Sequence, residues 1–577
     1  MVRVSNRWKS DVSRRRIIQT LGAGGAIGIA GCLGEDDPDD PDDADDADDS
    51  EVDADDTDDD DGMEDPDDIP ETEELVVAIP EDISSFDSIE ITDGQTRSVT
   101  GLIYERLFAV DFDTEVQPYL ATGSERPDDE TVVVELREGV EFHNGDPFDA
   151  NSVQASIERS IGTARDGFID PWYDGSEIID DHTIEFNLVE PFAPLEAEMF
   201  PEIQMVPAAA HDGDLDLGDE PIGTGPYVFD EYQDGELFRV TRNDNYWFEG
   251  SDDMPSTPPI ETITFRIVGE SSTQESALET GEVDAIVNPS SEGVERLSEE
   301  DGIEVHDIVG GTFQDVHFPV HASPWSNRNV RKGVSRLVPR EDILDVVWNG
   351  RGAEAYLLVP PMFEDVNTDE FRQEMMDEYV GHDQERGVEL IEQGFEEEGI
   401  SPPHETTFLV NDDDARVRAT EIIVNTLEGT ELFDIDINEL DWSAYSDRTG
   451  DGEAHERDEI IMGGITGSPT PWEYFNRIVT ESGFYPACCN FGQYSDERIE
   501  ELLQETSRTT DEDELVDMYQ EMTEIVADDS PRALYAWMPE INITRDHVRG
   551  WQTFYDPAWQ FSCIFAPYAD AVTYIEE

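Results

Sequence analysis

The stretch 131–160, TVVVELREGVEFHNGDPFDANSVQASIERS, contains a strand pattern, a turn signal and a helix pattern in direct succession. Over 131–137, Val132, Val134 and Leu136 lie at every second position, which predicts a strand with one buried face. Asn144-Gly145 is typical of a tight turn, because glycine adopts positive φ without steric cost. The residues 150–159 that follow read as a helix. This order predicts a mixed α/β architecture.

The alternation of strand and helix continues on the carboxyl side of this stretch. Apolar and polar residues alternate again over 183–188 and 262–268, which predicts two more half-buried strands. Apolar residues at helical spacing predict a helix over 515–526, and Thr509 with Glu512 forms the pattern of a capping box before it. Such a mixture predicts α/β or α+β lobes, and no internal repeat is present.

Four segments occur in a fixed order along the chain. They are GLIYERL, EVQPYLATG and LREGVEFHNGDPFDANSVQASIERS within 101–160, PIGTGPYVFDEYQDGELFRVTRNDNYW at 221–247, ALETGEVDAI at 277–286, and NVRKGVSRLVPREDI at 329–343. Together they resemble the signature of the extracellular solute-binding proteins of family 5, which serve peptide and nickel ABC transporters. The resemblance covers about 75–568 and departs from the family at Gly333, where Ala is usual, and at Pro339, where Asp is usual.

This resemblance implies a bilobed periplasmic-binding-protein-like α/β fold with an inserted subdomain and hinge crossings between the lobes. It maps lobe I to 74–113, 220–309 and 546–577, the inserted subdomain to 114–219, and lobe II to 310–545. A ligand that touches both lobes stabilises their closed form by its differential affinity, and that form is what a permease could recognise. The expected protein is therefore a monomeric receptor of an ABC importer rather than an enzyme.

The ligand-binding residues follow from the same resemblance. Peptide-binding members of the family pair an Asp of the second lobe with the amino terminus of the ligand. The matching loop here, GGITGSPTPWEYF at 463–475, has Gly467 in that position and no acid before Pro471. The candidate ligands are therefore peptides, sugars, opines, nickel chelates and other small polar solutes. The other candidate contacts are aromatic or acidic side chains at expected cleft positions: Phe86, Asp87, Trp325, Trp442, Trp472, Tyr474 and Phe475.

The amino-terminal segment 1–32 resembles a twin-arginine export signal that ends in a lipobox. Arg14 and Arg15 precede an apolar run that is too short to span a bilayer, and small residues lead to Cys32, the expected lipidation site. The following segment, 33–73, is rich in Asp, Glu and Pro and cannot bury enough apolar surface to order itself. We expect a lipid on Cys32 and a disordered acidic linker to hold the protein at the outer face of the membrane.

The charge of the chain is strongly acidic, with 141 Asp and Glu against 34 Lys and Arg and a net charge of −107. At molar salt the Debye length falls to about 3 Å, which screens the self-repulsion of such a surface. We interpret the composition as that of a halophilic archaeal protein. Nucleic acid is excluded as a partner by the sign of the charge.

The remaining residues of chemical interest give few signals. Outside the membrane, one of the adjacent cysteines Cys488 and Cys489 is expected to pair with Cys563, with Cys489 as the candidate, and three reduced cysteines are the alternative. His317 and His321 are too far apart in a strand to bind one metal ion together, so neither a metal nor a cofactor is expected. No nucleophile elbow or other catalytic motif is present. A secreted sensor or adhesin of the same fold, and a secreted hydrolase, remain the alternatives.

Overall fold

The computed structural model describes residues 69–576, apart from 219, 252–253, 466, 485–488, 510 and 570. All of these residues belong to one compact unit. The predicted export signal, the lipidation site Cys32 and almost all of the acidic linker lie outside the described residues. Within the described ranges, no helix is both long enough and apolar enough to cross a membrane.

Strands and helices alternate along the described chain. The strands are β1 (Thr72–Ile79), β2 (Phe108–Val110), β3 (Val116–Pro118), β4 (Ala121–Asp128), β5 (Thr131–Leu136), β6 (Tyr173–Asp180), β7 (Thr183–Leu188), β8 (Tyr227–Gln233), β9 (Leu237–Arg242), β10 (Ile260–Ile267), β11 (Ala285–Val287), β12 (Ile303–His317), β13 (Ala353–Glu354), β14 (His404–Asn411), β15 (Phe433–Leu440), β16 (Glu459–Ile465), β17 (Arg532–Arg545), β18 (Val548–Arg549) and β19 (Tyr574–Ile575).

The α-helices mostly flank these strands. They are α1 (Gly94–Thr100), α2 (Ala150–Ser160), α3 (Ala208–His211), α4 (Ser271–Thr280), α5 (Ser291–Leu297), α6 (Arg328–Leu337), α7 (Arg340–Trp348), α8 (Asp369–Met375), α9 (Gln384–Glu398), α10 (Asp414–Glu428), α11 (Trp442–Thr449), α12 (Pro471–Val479), α13 (Glu497–Thr506) and α14 (Glu512–Asp529). Short 3₁₀ or π turns occupy Asp166–Phe168, Leu195–Met199, Phe200–Glu202, Met376–Val380, Ala454–Glu456, Glu481–Gly483 and Pro557–Cys563.

One eleven-stranded sheet runs through the molecule in the order β15-β14-β16-β12-β17-β11-β1-β10-β9-β8, with β13 paired to β17. We call β1 and β8–β11 the first half-sheet, and β14–β16 the second half-sheet. The long strands β12 and β17 join the two halves, since β17 pairs with β11 near its end while β12 pairs with β16 near its end. Their antiparallel register shifts between Val309 and Phe313, around Gly310 and Gly311. A mixed sheet with helices on its faces confirms the predicted α/β class.

A separate antiparallel sheet, in the order β4-β5-β7-β6, lies within the region predicted as the inserted subdomain. The strands predicted over 131–137, 183–188 and 262–268 correspond to β5, β7 and β10. The helix predicted at 150 begins there, with Asp149 as its cap. The prediction of a capping box formed by Thr509 and Glu512 was wrong. Asp511 caps α14 instead, by accepting a hydrogen bond from the Glu514 N–H.

Two of the four segments that resemble the family, those within 101–160 and at 221–247, contact each other beside the first half-sheet. Glu105 of the first segment is fully buried and accepts hydrogen bonds from Tyr246 Oη at 2.6 Å and Trp247 Nε1 at 2.9 Å, both from the second segment. Gly223, also in the second segment, packs so closely that a Cβ there would lie 2.0 Å from the Ile103 carbonyl oxygen. These motif residues therefore hold the fold together.

Candidate functional site

A junction between distant parts of the chain forms around Glu198, which lies in the π turn Leu195–Met199 after β7. The loop between β16 and α12 reaches this residue: Ser468 Oγ lies 3.3 Å from both carboxylate oxygens, and Thr470 Oγ1 donates to Oε1. Nearby, the Ala193 N–H donates to the Ser507 carbonyl oxygen at 2.7 Å. The predicted inserted subdomain and the region of the second half-sheet therefore close on each other here.

The floor of this junction is a contact between two glycines. Gly467 and Gly311 approach so closely that a Cβ on Gly467 would lie 2.9 Å from the Gly311 Cα. The Tyr474 hydroxyl bridges the two segments that contain these glycines. It donates to the Gly311 carbonyl oxygen at 2.8 Å and accepts from the N–H of Ser468, the residue after Gly467, at 3.2 Å. The Gly311 N–H in turn donates to the Tyr555 carbonyl oxygen at 3.2 Å. The register shift of β12 thus lies at the base of the junction.

Three buried carboxyl groups surround this floor. Burial first and the charge of Glu473 second raise the pKa of Glu198 to about 8, against the opposing effect of the hydroxyl groups of Thr470 and Ser468. Burial also raises the pKa of Glu540 to about 8 and that of Asp556 to about 6. In the described part of the chain, none of the three forms an ion pair. Among the described residues, the positive charges that act on Glu198 and Asp556 therefore do so from beyond ion-pair distance.

Aromatic side chains of α12 line the same region. The Trp472 ring meets Phe192 edge to face, with ring centroids 5.3 Å apart. Trp472 is 8 % exposed, and its Nε1 has no hydrogen-bond partner among the described residues. Phe475 is fully buried and stacks on Tyr519 of α14. Of the predicted ligand contacts, Gly467, Trp472 and Tyr474 are therefore brought together, with Phe475 packed behind them.

The other predicted contacts lie elsewhere. Phe86 packs against aromatic rings beside the first half-sheet, and Asp87 accepts two hydrogen bonds from the Arg159 guanidinium, at 2.8 and 2.9 Å. Trp325 is fully buried in the core around the second half-sheet, between Phe318 and Phe433. Trp442 is 60 % exposed.

Sequence reasoning missed Glu198, Glu540, Asp556 and Tyr555. The three acids belong to a chain with 141 acidic residues, and none of them lies in a family-like segment. The one signal that could have directed attention to Glu198 is its neighbourhood, APLEAEMF, where acids interrupt an apolar run.

The predicted disulfide is corrected by the structure. Cys563 is a free thiol, fully buried within the largest hydrophobic cluster, and burial raises its pKa to about 12. Cys489 belongs to a disulfide in which Cys563 takes no part. Its carbonyl oxygen accepts a hydrogen bond from Arg532 of β17. The two cysteines are thus held in different environments, and the bridge between them does not form.

The histidines considered for metal binding serve different contacts. His317 Nε2 lies 3.0 Å from Asp315 Oδ1 in the buried end of β12, whereas His321 Nε2 lies 3.1 Å from the Gln493 carbonyl oxygen. Over the residues that the structure describes, no group of three or more His, Cys, Asp or Glu side chains is arranged to hold a metal ion.

Comparison with known proteins places this architecture in a family. The glutathione-binding protein GsiB of Escherichia coli K12 is 27 % identical over 294 residues, which are 50 % of this chain and 56 % of the relative. The chain thus spans little more than half the length of this curated relative. The peptide-bound DppA of Helicobacter pylori aligns with a TM-score of 0.70 and 23 % identity, over 88 % of this chain and 99 % of DppA.

A third protein, HbpA2 of Haemophilus parasuis, aligns with a TM-score of 0.74 and 20 % identity over 87 % of this chain and all of its own. The expected bilobed fold is thereby confirmed. GsiB and DppA are named as binding proteins rather than enzymes, in agreement with the expected class. The family described as bacterial extracellular solute-binding proteins, family 5 Middle, matches residues 115–486. Because this match covers more than half of the sequence, the chain belongs to the extracellular solute-binding proteins of family 5.

Proposed function

We propose that this protein is the substrate-binding component of an ABC importer and that it traps a small polar solute or peptide between two lobes. The lobes are those expected from the sequence: lobe I from 74–113, 220–309 and 546–577 with the inserted subdomain 114–219, and lobe II from 310–545. The observation that carries the proposal is the hydrogen bonding of Ser468 and Thr470 to Glu198. It supports closure of lobe II on the inserted subdomain.

The hinge of this closure is assigned to the middle of β12 and β17. These two strands run between the half-sheets, and their register shift around Gly310 and Gly311 interrupts the regular ladder there. A local loss of ladder hydrogen bonds lets the backbone change direction with little strain, as in other hinge-bending proteins. The ligand cleft then opens by separating Gly467 from Gly311 and Ser468 from Glu198.

The ligands named for the relatives suggest the class of ligand that we propose for this chain. GsiB is named for glutathione and DppA was solved with the peptide STSA. Both ligands are short peptides, so a peptide is the leading candidate. The absence of an acid at Gly467 does not remove this candidate, because Glu198 supplies a carboxylate to the same loop from the opposite side.

The location is also part of the proposal. Export through Arg14 and Arg15 and lipidation of Cys32 would place the protein at the outer membrane face, where the acidic linker lets it reach a permease. The variant Cys32→Ala is expected to release the protein into the medium, while the twin-lysine variant R14K/R15K is expected to retain it inside the cell. Fractionation of cells that express each variant measures both outcomes.

The function is tested by purifying the full chain in molar salt and identifying any copurified solute by mass spectrometry. After the protein is stripped by unfolding and refolded, adding that solute back is expected to reduce the radius of gyration in X-ray scattering and to leave the solute chemically unchanged. A solute returned as a modified product would indicate an enzyme instead. If adding the copurified solute leaves the scattering curve unchanged, capture by lobe closure is contradicted.

A further inference from the structure

A groove of about 470 Å³ lies beside the crossing of α6 and α9 and shares no lining residue with the junction around Glu198. The two helices approach closely because both carry glycine at the crossing. A Cβ on Gly333 would lie 2.6 Å from the Gly387 carbonyl oxygen. Gly333 is the position at which Ala is usual in the family. The helix crossing beside the groove therefore uses a residue that departs from the family pattern.

Four cationic side chains line the groove, in a chain that has 141 acidic residues and 34 basic ones. Arg328, Lys332 and Arg336 recur at every fourth position and so share one face of α6. Arg386 comes from the first turn of α9. Arg328 and Lys332 both pair with the carboxylate of Asp528. The groove thus concentrates the sign of charge that this chain carries least.

Arg336 is the buried member of this set, at 6 % exposure, and its guanidinium has unused donors. Its Nη atoms donate to the carbonyl oxygens of Glu378 at 2.6 Å and Gly381 at 3.2 Å, which uses two of its five N–H groups. Its Nε has no hydrogen-bond partner among the described residues, and Asp383 acts on it from beyond ion-pair distance. Arg340 is buried too, but backbone carbonyl oxygens accept from its Nε and Nη1. Beside a cavity, the unused donors of Arg336 suit the oxygen atoms of an anion.

The acids around the groove are distant, exposed or already used. Glu397 and the acid that follows it lie about 16 Å along α9 from Arg386, at 1.5 Å per residue. Asp383 caps α9 by accepting a hydrogen bond from the Arg386 N–H at 2.9 Å. Glu378 lies on the exposed rim, and Glu389 forms an exposed ion pair with Arg386, which contributes little. In molar salt the Debye length is about 3 Å, so the contacts inside the groove decide what binds there.

We propose that the groove between α6 and α9 is a binding site separate from the cleft and that it takes a small oxyanion, a phosphate or a carboxylate group. Arg336 and Arg386 donate to its oxygen atoms from the two helices, and the Lys332 ammonium adds positive charge beside them. A planar guanidinium matches the oxygen atoms of both groups in a bidentate geometry. The site lies within 310–545, the segment assigned to lobe II, and does not depend on the proposed function.

The test is isothermal titration calorimetry of the full chain in molar KCl at pH 7, with inorganic phosphate and acetate as the two probes. The excess of KCl holds the ionic strength constant, so a saturable heat reports a site rather than a change in screening. We expect at least one probe to bind at one site, and the tighter of the two identifies the group. X-ray scattering should show no change of the radius of gyration, because the groove lies outside the cleft.

Four variants separate the groove from the rest of the surface. R386Q removes one donor and K332Q one charge, and each is expected to weaken binding about tenfold. R498Q is the matched control, since Arg498 on α13 is also a half-exposed arginine with a glutamate partner three residues on, and it should keep the parent affinity. E378Q removes an acid from the rim and should strengthen binding about threefold. The buried Arg336 is left in place, and thermal unfolding midpoints check that each variant folds.

Three results would overturn the inference. The first is that neither probe binds at tens of millimolar, and the second is an affinity that R386Q and K332Q leave unchanged or that R498Q lowers equally. The third is a smaller radius of gyration on adding the probe, which would place the anion in the cleft. Closure of the lobes by a copurified solute is measured separately and does not require the groove. The two proposals can therefore fail independently.

Discussion

Two buried glutamates show how differently the same chemistry is used in this molecule. Glu105 and Glu198 are both buried carboxyl groups with raised pKa values, and both accept hydrogen bonds from neutral donors. Glu105 receives them from Tyr246 and Trp247 within one packed core. Glu198 receives them from a loop 270 residues away along the chain.

This difference separates folding from binding. The partners of Glu105, Tyr246 and Trp247, follow β9 of the first half-sheet and pack against the same hydrophobic core as Glu105's neighbour Tyr104. The partners of Glu198 are brought to it only when the two regions meet, so water can replace them when the regions separate. A buried acid that is satisfied permanently serves stability, whereas one that is satisfied conditionally can serve recognition.

The largest effect is expected from E105A, which should lower the free energy of unfolding by about 4 kcal/mol. The substitution leaves two buried donors unpaired, each at a cost of about 1–3 kcal/mol, and also opens a cavity. The matched variant E198A should change it by no more than about 1 kcal/mol, because its hydroxyl partners can be hydrated on opening. Urea unfolding in molar salt measures both. Equal losses would contradict the distinction between the two sites.

A glycine in each region gives a second comparison. G223A should cost about 3 kcal/mol, since its Cβ would lie 2.0 Å from the Ile103 carbonyl oxygen inside one packed core. G467A introduces a Cβ 2.9 Å from the Gly311 Cα, and the lobes can relieve that overlap by moving apart. We therefore expect G467A to keep its stability but to show a larger radius of gyration in X-ray scattering. An unchanged radius would place the hinge elsewhere.

Most of the fold could be predicted because its signals are local. Period-two alternation identified β5, β7 and β10, and the ordered motifs carried the resemblance to the family. The motif residues are recognisable because one packed core constrains them, as the contacts of Glu105 and Gly223 illustrate. The capping box failed because Asp511, which lies closer to the helix, competes with Thr509 for the same role.

The candidate site was less predictable because it depends on tertiary approach. An aromatic residue after a strand has the same local pattern whether it enters a core, as Trp325 does, or a junction, as Trp472 does. Glu198 is one acid among 141, and only the fold brings it to Ser468. The loop at 463–471 was identified through the family resemblance, but the acid that faces it was not.

A change of pH should move the junction while leaving the Glu105 core in place. The raised pKa of Glu198, about 8, means that the closed form binds a proton that the open form, with an ordinary carboxyl pKa, releases. The stability of the closed form is therefore fully present below about pH 4.5 and is lost as the pH rises through about 8. Glu540, with a similar pKa, contributes in the same direction.

Scattering curves of the ligand-free protein between pH 5 and 9 measure this opening. E198Q is expected to reduce the pH dependence and the double variant E198Q/E540Q to abolish most of it, whereas E196Q is expected to keep it. Opening at low pH instead of high pH would contradict the assignment of these two groups.

The smallest effects are expected from substituting two tryptophans, Trp472 in the junction and Trp442 outside it. The pair tests the role of one atom, Trp472 Nε1. W472F removes Nε1, which has no hydrogen-bond partner in the described ranges, and keeps a ring against Phe192. Stability should therefore stay within about 0.5 kcal/mol, and the affinity for the copurified solute should fall about fivefold. W442F changes an exposed ring that stacks on Tyr445 and should alter neither quantity. Calorimetric titration measures both variants. An equal affinity for W472F and the parent protein would show that the indole donor is not used by the ligand, and a loss in W442F would move the ligand site to α11.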